Sequence, residues 1–165
     1  MGKAMDEKQT ILTAITPKAV LKAMTPEAEK AVPQSMLVAG VVCIRTFPFK
    51  VGRESRIKKV NGKLERIERV KLEERPPNND LYLVDDGHLL NISREHFQIE
   101  KNGNEYKLMD RGSACGTQVG GVNVGGNDST GDLVLKDGDI ICIGTKKSPF
   151  VFQFISLDDF VISRG

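Results

Sequence analysis

A chain of 165 residues, 39 % hydrophobic and 28 % charged, can close a core without metal or disulfide support, and its formal net charge of +2 is too small to point to nucleic acid by itself. With no Trp, seven Phe and two Tyr, that core has to be built mainly from Val, Ile and Leu. Three cysteines, Cys43, Cys115 and Cys142, are odd in number and match neither zinc-ligand spacing nor a secreted disulfide framework. Cys43 and Cys142 sit in apolar runs and are expected as buried free thiols. The longest apolar run, 37–44, is too short for a membrane helix. The N-terminus lacks the plan of a signal peptide, and Asp6 stands where a myristoylation signal needs Ser or Thr. A cytoplasmic chain with no membrane partner is the expectation.

Residues 1–36 are Ala- and Lys-rich and poor in β-branched side chains. Thr16-Pro17 and Thr25-Pro26 each look like an N-cap followed by Pro at the first helical position, so 1–36 is expected to be an N-terminal arm, helical or partly disordered. From Leu37 the pattern changes to short β-rich runs: LVAGVVCIR, TFPFKVG, LYLVDD, HFQIE, YKLMD, DLVLK, DIICIG and FVFQFISL. Turn signals punctuate them at Asn102-Gly103-Asn104, Asp110-Arg111-Gly112, Gly125-Gly126-Asn127 and Asp137-Gly138-Asp139. This is the pattern of an all-β sandwich or barrel over 37–165.

Residues 54–79 interrupt it as a charged insertion. Asn61-Gly62 between Ile57/Val60 and Leu64/Ile67 signals a projecting hairpin, while Leu64, Ile67 and Val70 at spacing three also fit a charged helix; the hairpin is the favoured reading. Between Arg53 and Arg75 there are nine Arg or Lys against five Glu, whereas from Pro76 onward eight basic residues face thirteen acidic ones. The basic stretch marks where an anion is best received.

Four features then occur in fixed order: Gly52-Arg53 at a strand end; Ser93-Arg94-Glu95-His96 just before Phe97; Asp110-Arg111-Gly112-Ser113-Ala114-Cys115-Gly116-Thr117; and Leu135-Lys136-Asp137-Gly138-Asp139-Ile140-Ile141. Together they resemble the forkhead-associated (FHA) domain, with its Ser-x-x-His element, its Asp-x-x-Ser-x-Asn-Gly-Thr loop and its Leu-x-Asp-Gly-Asp-x-Ile turn. The resemblance covers about 37–160 and implies an all-β, antiparallel β-sandwich that binds phosphothreonine on partner proteins in Ser/Thr kinase signalling. It implies that Arg53 and Ser93 contact the phosphate, with Arg94 as a third donor. His96 would hold the loop in shape, with Gly52 and Thr117 as further structural support.

The chemistry stands without the family. A phosphothreonine brings nearly two negative charges and three acceptor oxygens, which call for a guanidinium and short donors that approach closely. Arg53, Ser93 and Arg94 supply that set, although Arg53 also reads as a surface arginine, Ser93 as a turn cap and Arg94 as solvent-facing. His88 reads as an exposed loop residue.

The sequence departs from the family at the loop that meets the peptide, here Ala114, Cys115 and Gly116. Cys115 replaces the Asn that in the family bonds the peptide backbone, and a thiol is only a weak donor. Ala114 replaces a hydroxyl residue, and Gly120-Gly121 keeps a second Asn-Gly turn without its side-chain polarity. A phosphate-indifferent interaction module of the same fold is therefore the alternative.

The resemblance also makes the Thr-rich arm, with Thr10, Thr13, Thr16 and Thr25, a candidate ligand for its own domain, as in some bacterial signalling proteins of the family; helix capping is the other reading of Thr16 and Thr25. Ser93 and His96 form no triad with an acid, so no enzyme and no cofactor are expected. The 53–75 stretch lacks aromatics for base stacking, so no nucleic acid is expected either.

Overall fold

The computed structural model describes residues 3–54, 57–60, 63–66, 77–85, 91–127 and 131–158; for 3–5, 57–60 and 63–66 it describes the backbone alone. Period-two alternation sets the architecture. Along Val151–Ser156, Phe152 and Phe154 are buried while their neighbours are half-exposed, and along Phe97–Asn102 the buried positions are Phe97 and Ile99. Each such strand has one face for a core and one for water, and two sheets bury those faces against each other.

In chain order the elements are α1 (Lys3–Ile15), β1 (Ala19–Ala23), α2 (Pro26–Ala31), β2 (Leu37–Val38), β3 (Val41–Ile44), β4 (Phe49–Arg53), β5 (Ile57–Val60), β6 (Lys63–Arg66), β7 (Leu81–Leu83), β8 (Phe97–Asn102), β9 (Glu105–Asp110), β10 (Thr117–Val119), β11 (Val122–Val124), β12 (Asp132–Leu135), β13 (Ile140–Ile143) and β14 (Val151–Ser156). One sheet has the order β11-β10-β13-β14-β1-β3-β2 and the other β12-β9-β8-β4-β7. Neighbouring strands run antiparallel except β4 and β7, which pair in parallel with Arg53 opposite Leu83. Phe97, Ile99 and Leu108 from one sheet and Leu21, Ile44, Ile141, Phe152 and Phe154 from the other fill the interior.

The expected arm at 1–36 needs correction. Its first part is helical, as α1, but PKAVLKAM forms no helix behind Thr16. Thr16 instead follows the C-terminal end of α1, its N–H donating to the Leu12 carbonyl at 2.9 Å. Ala19–Ala23 is a strand inside the sheet, with Leu21 opposite Phe154 on β14 and Val42 on β3. Two flanking strands offer this segment a full ladder and bury Ala19, Val20 and Leu21, which outweighs the weak helix propensity of a short Ala/Lys run. The sandwich therefore begins near Ala19 rather than Leu37. Thr25 does cap a helix: its hydroxyl accepts the Ala28 N–H at 3.1 Å, Pro26 opens α2, and Ala28 and Ala31 are buried.

In the insertion, β5 and β6 pair antiparallel with Ile57 opposite Arg66 and Val60 opposite Lys63, the pairing expected of a hairpin, and a helix beginning at Lys63 is excluded. Asn61-Gly62, the rest of the insertion through residue 76, and His88 lie outside the described residues. Two further strands, β10 and β11, were not anticipated as strands; Gly120 and Gly121, both at positive φ, make the turn between them. Cys43 and Cys142 are half-buried, because Val42, Ile44, Ile141 and Ile143 take the inward positions of their strands.

Candidate functional site

Three of the four sequence features converge at one end of the sandwich. Residue 53 ends β4, residue 96 precedes β8, and 110–116 joins β9 to β10. The loop through Ile92, Ser93 and Arg94 crosses the end of β4, where the Arg53 N–H donates to the Ser93 carbonyl at 3.0 Å and the Arg94 carbonyl at 3.3 Å. Such an approach needs a small neighbour. An added β-carbon at Gly52 would lie 2.1 Å from the Arg94 carbonyl oxygen, which accounts for glycine there. The fourth feature is at the other end: Gly138 at positive φ turns the chain from β12 into β13, and Asp139 Oδ2 accepts the Lys136 N–H at 2.8 Å.

Arg53 is only 6 % exposed. Its Nε donates to the Ile92 carbonyl at 2.9 Å and its Nη1 to the Glu54 carbonyl at 3.0 Å. Two of the guanidinium's five N–H donors are thus turned to backbone, and the side chain ties β4 to the loop that carries Ser93. Ser93 is half-buried, and its Oγ accepts the Ala114 N–H at 3.0 Å. Accepting there leaves the single hydroxyl proton for another acceptor. Arg94 is half-buried beside it.

His96 is fully buried and holds three segments together. Its Nδ1 accepts the Ser93 N–H at 3.0 Å, and its Nε2 lies 2.7 Å from the Gly116 carbonyl. An Nδ1 that accepts carries no proton, so the ring is the neutral Nε2–H tautomer and donates to Gly116. Burial pushes the imidazole down from 6.5 to about 4, against the smaller upward pulls of the Gly116 bond and the Asp110 charge. The His96 N–H also donates to Val51 on β4, and its carbonyl accepts from the Arg111 N–H.

The 110–116 loop is closed from within. Asp110 Oδ2 accepts the N–H groups of Gly112 at 2.8 Å and Ser113 at 3.1 Å, and Ser113 Oγ donates to Asp110 Oδ1. Ser113 Oγ in turn accepts the Gly116 N–H at 3.1 Å. Gly116 sits at φ +74°, and a β-carbon there would meet the Gly125 carbonyl oxygen at 2.8 Å. Ala114 is exposed and Cys115 half-buried on this rim. Thr117 lies below in the core, 1 % exposed, its hydroxyl without a partner among the described residues, so it contributes packing. The structure therefore gathers Ser93, Arg94, Ala114 and Cys115 at one rim, with Arg53, Gly52, His96 and Gly116 buried beneath.

Sequence reasoning passed over two residues here. Asn79 lies before β7 and Arg111 within the loop after β9, and both bond to the Ser93–His96 segment or its neighbours. Pro77-Asn78-Asn79 read only as the end of an insertion, so no local signal marked them. A cleft of about 850 Å³ lies at the opposite pole, lined by Tyr106, Lys136, Asp137 and Asp158 among others, and takes in none of the motif residues gathered at the other end.

The family model for the FHA domain matches residues 50–144, more than half of the chain. The chain belongs to the FHA domain family. FHA domains are interaction modules, and the match covers every site residue named above. It omits β1, β2, β3 and β14, although β14 and β1 lie at the centre of the seven-stranded sheet. An oxoglutarate dehydrogenase inhibitor of Corynebacterium jeikeium is 32 % identical over 77 residues, covering 47 % of this chain and 46 % of the relative. The chain thus matches about half the length of that curated protein. Full-length yeast Pml1p has the same fold at a TM-score of 0.50 and 14 % identity, over 87 % of this chain and 94 % of its own. The FHA domain of CT664 protein from Chlamydia trachomatis aligns at a TM-score of 0.49 and 18 % identity, over 87 % and 98 %. At 14 % identity the likeness to Pml1p concerns fold alone. Among the described residues no helix is long and apolar enough to cross a membrane.

Proposed function

We propose that this FHA domain is a phosphothreonine-dependent adaptor in cytoplasmic Ser/Thr kinase signalling, with Arg53, Ser93 and Arg94 receiving the phosphate. The observation that carries the reading is the Arg53–Ser93 junction. One backbone N–H of Arg53 reaches both Ser93 and Arg94, which puts a guanidinium, a hydroxyl and a second guanidinium-bearing residue on adjoining backbone. A dianionic phosphate is suited by that donor set, and loop ends on a rigid sandwich suit an extended peptide. The Corynebacterium relative is named as an inhibitor of another protein, which accords with action through binding. The test is titration of a phosphothreonine peptide library and its unphosphorylated counterpart, by calorimetry or anisotropy, against the wild type and Arg53→Ala. Binding that requires the phosphate and is lost in Arg53→Ala supports the reading; phosphate-indifferent binding defeats it.

A second reading has its own observation. Arg53 is 6 % exposed with two guanidinium donors on carbonyls, and Ala114 and Cys115 lack the polar groups of the family loop. A module of the same fold that binds partners without phosphate would show equal affinity for both peptide forms.

The proposed ligand class includes the chain's own N-terminal segment. Thr10 and Thr13 are exposed on α1, their hydroxyls donating to the carbonyls of Asp6 and Gln9 at 2.8 Å, whereas Thr25 is occupied in capping α2 and donates to Pro149. Kinase treatment followed by NMR of Arg53 and Ser93 tests this, and unshifted signals after phosphorylation rule it out.

A further inference from the structure

The space a side chain would fill at Gly52 is taken by two groups. One is the Arg94 carbonyl oxygen, and the other is the side-chain amide of Asn79, whose atoms lie 2.6 Å from the position of an added β-carbon. Asn79 is 9 % exposed and uses both ends of its amide. Its Nδ2 donates to the Arg94 carbonyl at 2.8 Å, and its Oδ1 accepts from Arg111 Nη1 at 2.5 Å. Arg111 Nη2 donates to the Asn78 carbonyl at 2.7 Å and lies 3.5 Å from Glu95 Oε1. That same carboxylate oxygen accepts the Asn78 N–H at 3.2 Å. Tyr82 steadies the segment from β7: its hydroxyl accepts the Asn79 N–H at 3.2 Å and donates to the Pro77 carbonyl at 2.8 Å.

We propose that Asn79 and Arg111 are positioning residues for the phosphate-binding loop; the inference rests on the phosphothreonine reading. They clasp Arg94 and Glu95 to the 77–79 segment and to the loop after β9. The Arg94 carbonyl that Asn79 holds is also one of the two that receive the Arg53 N–H. The clasp therefore sets the backbone from which all three proposed phosphate donors project. Arg111 acts through this geometry rather than by touching ligand, since its side chain is only 10 % exposed and its fork is turned to Asn78, Asn79 and Glu95. A neutral amide is required at 79 because one end must donate and the other accept. A planar fork is required at 111 because two bonds leave it toward the 78–79 backbone and side chain.

The test uses the full chain, a phosphothreonine peptide that binds the wild type, and the variants Asn79→Asp, Asn79→Ala and Arg111→Lys. Asn79→Asp keeps the acceptor for Arg111 and sets an acceptor against the Arg94 carbonyl. Arg111→Lys keeps the charge and loses the fork. All three are expected to weaken phosphopeptide binding about tenfold. In the free protein, the amide signals of Ser93 and Arg94 and the Arg53 Nε–H signal should shift while those of β1 and β14 stay in place. A purely charge-based role for Arg111 predicts wild-type affinity in Arg111→Lys, and that result overturns the assignment for Arg111. Wild-type affinity and unshifted Ser93 and Arg94 signals in Asn79→Asp overturn it for Asn79. Should the Asn79 variants fail to fold, Arg111→Lys carries the decision. A wild-type chain that binds no phosphothreonine peptide overturns the phosphothreonine reading together with this one, whereas equal binding by wild type and variants overturns positioning alone.

Discussion

The Ser93 N–H donates to His96 Nδ1 at 3.0 Å, so the residue proposed to meet the phosphate is held by an imidazole that must stay neutral. The same ring reaches the Gly116 carbonyl, and a proton on Nδ1 would turn an acceptor into a donor facing the Ser93 N–H. The shape of the loop is therefore linked to pH through one buried side chain.

The sign follows from the depressed value of the folded state. The unfolded imidazole takes its proton near 6.5, while the folded one resists until about 4. As pH falls through that window, the unfolded chain binds a proton the folded chain does not. His96 thus leaves stability intact above 6.5 and removes on the order of 3 kcal/mol by the time pH reaches the folded value. Urea unfolding across the window should show this slope beyond that of the carboxylates. His96→Asn should be less stable at neutral pH and flatter through the window. Equal slopes in the two proteins would sink the prediction.

Gly52→Ala places a methyl group 2.1 Å from the Arg94 carbonyl oxygen and 2.6 Å from the Asn79 amide, both held by hydrogen bonds. Overpacking of this kind costs about 1–3 kcal/mol. The thermal midpoint should fall, and the amide signals of Arg94 and Asn79 should move. A variant with the wild-type midpoint would show that the 94–96 segment yields without cost.

The placement of β1 separates two truncations. Deleting residues 1–15 removes only α1 and should leave a cooperative fold. Deleting residues 1–24 removes the strand between β14 and β3, exposes the faces of Phe154 and Ile44, and should abolish cooperative unfolding. Circular dichroism melts of the two truncated chains decide it. A stable second truncation would restore a boundary near Leu37.

These elements also show what could be read from residues alone. β8 and β14 announce themselves because Phe97/Ile99 and Phe152/Phe154 alternate with polar or half-exposed neighbours. β1 does not, because Ala, Leu and Lys favour helix locally and only the ladders of β3 and β14 make it extended. β10 and β11 are three residues each, too short for a period, and their Gly120-Gly121 turn was the visible part. Near the site, Gly52-Arg53 and Ser93–His96 carry a compact pattern that survives in a single sequence. Asn79 and Arg111 do not, since their bonds join loops 15 and 32 residues apart and neither residue type is unusual where it stands.

Cys115 offers the sharpest chemical test of the peptide-facing rim. It stands half-buried between exposed Ala114 and buried Gly116, on a loop whose backbone is already closed by Asp110 and Ser113. The hydrogen bonds of those two side chains set the course of the turn on either side of residue 115. Within the phosphothreonine reading, Cys115→Asn adds an amide donor and acceptor where the chain now has a thiol. One additional neutral hydrogen bond to a peptide backbone contributes about 0.5–1.5 kcal/mol, or a severalfold gain in affinity. Calorimetry with the same phosphothreonine peptide should show that gain in Cys115→Asn, and Cys115→Ala should bind the peptide like the wild type because a thiol is only a weak donor. If Cys115→Asn leaves affinity unchanged while Arg53→Ala abolishes it, the peptide runs clear of the 114–116 rim and recognition rests on the phosphate contacts alone.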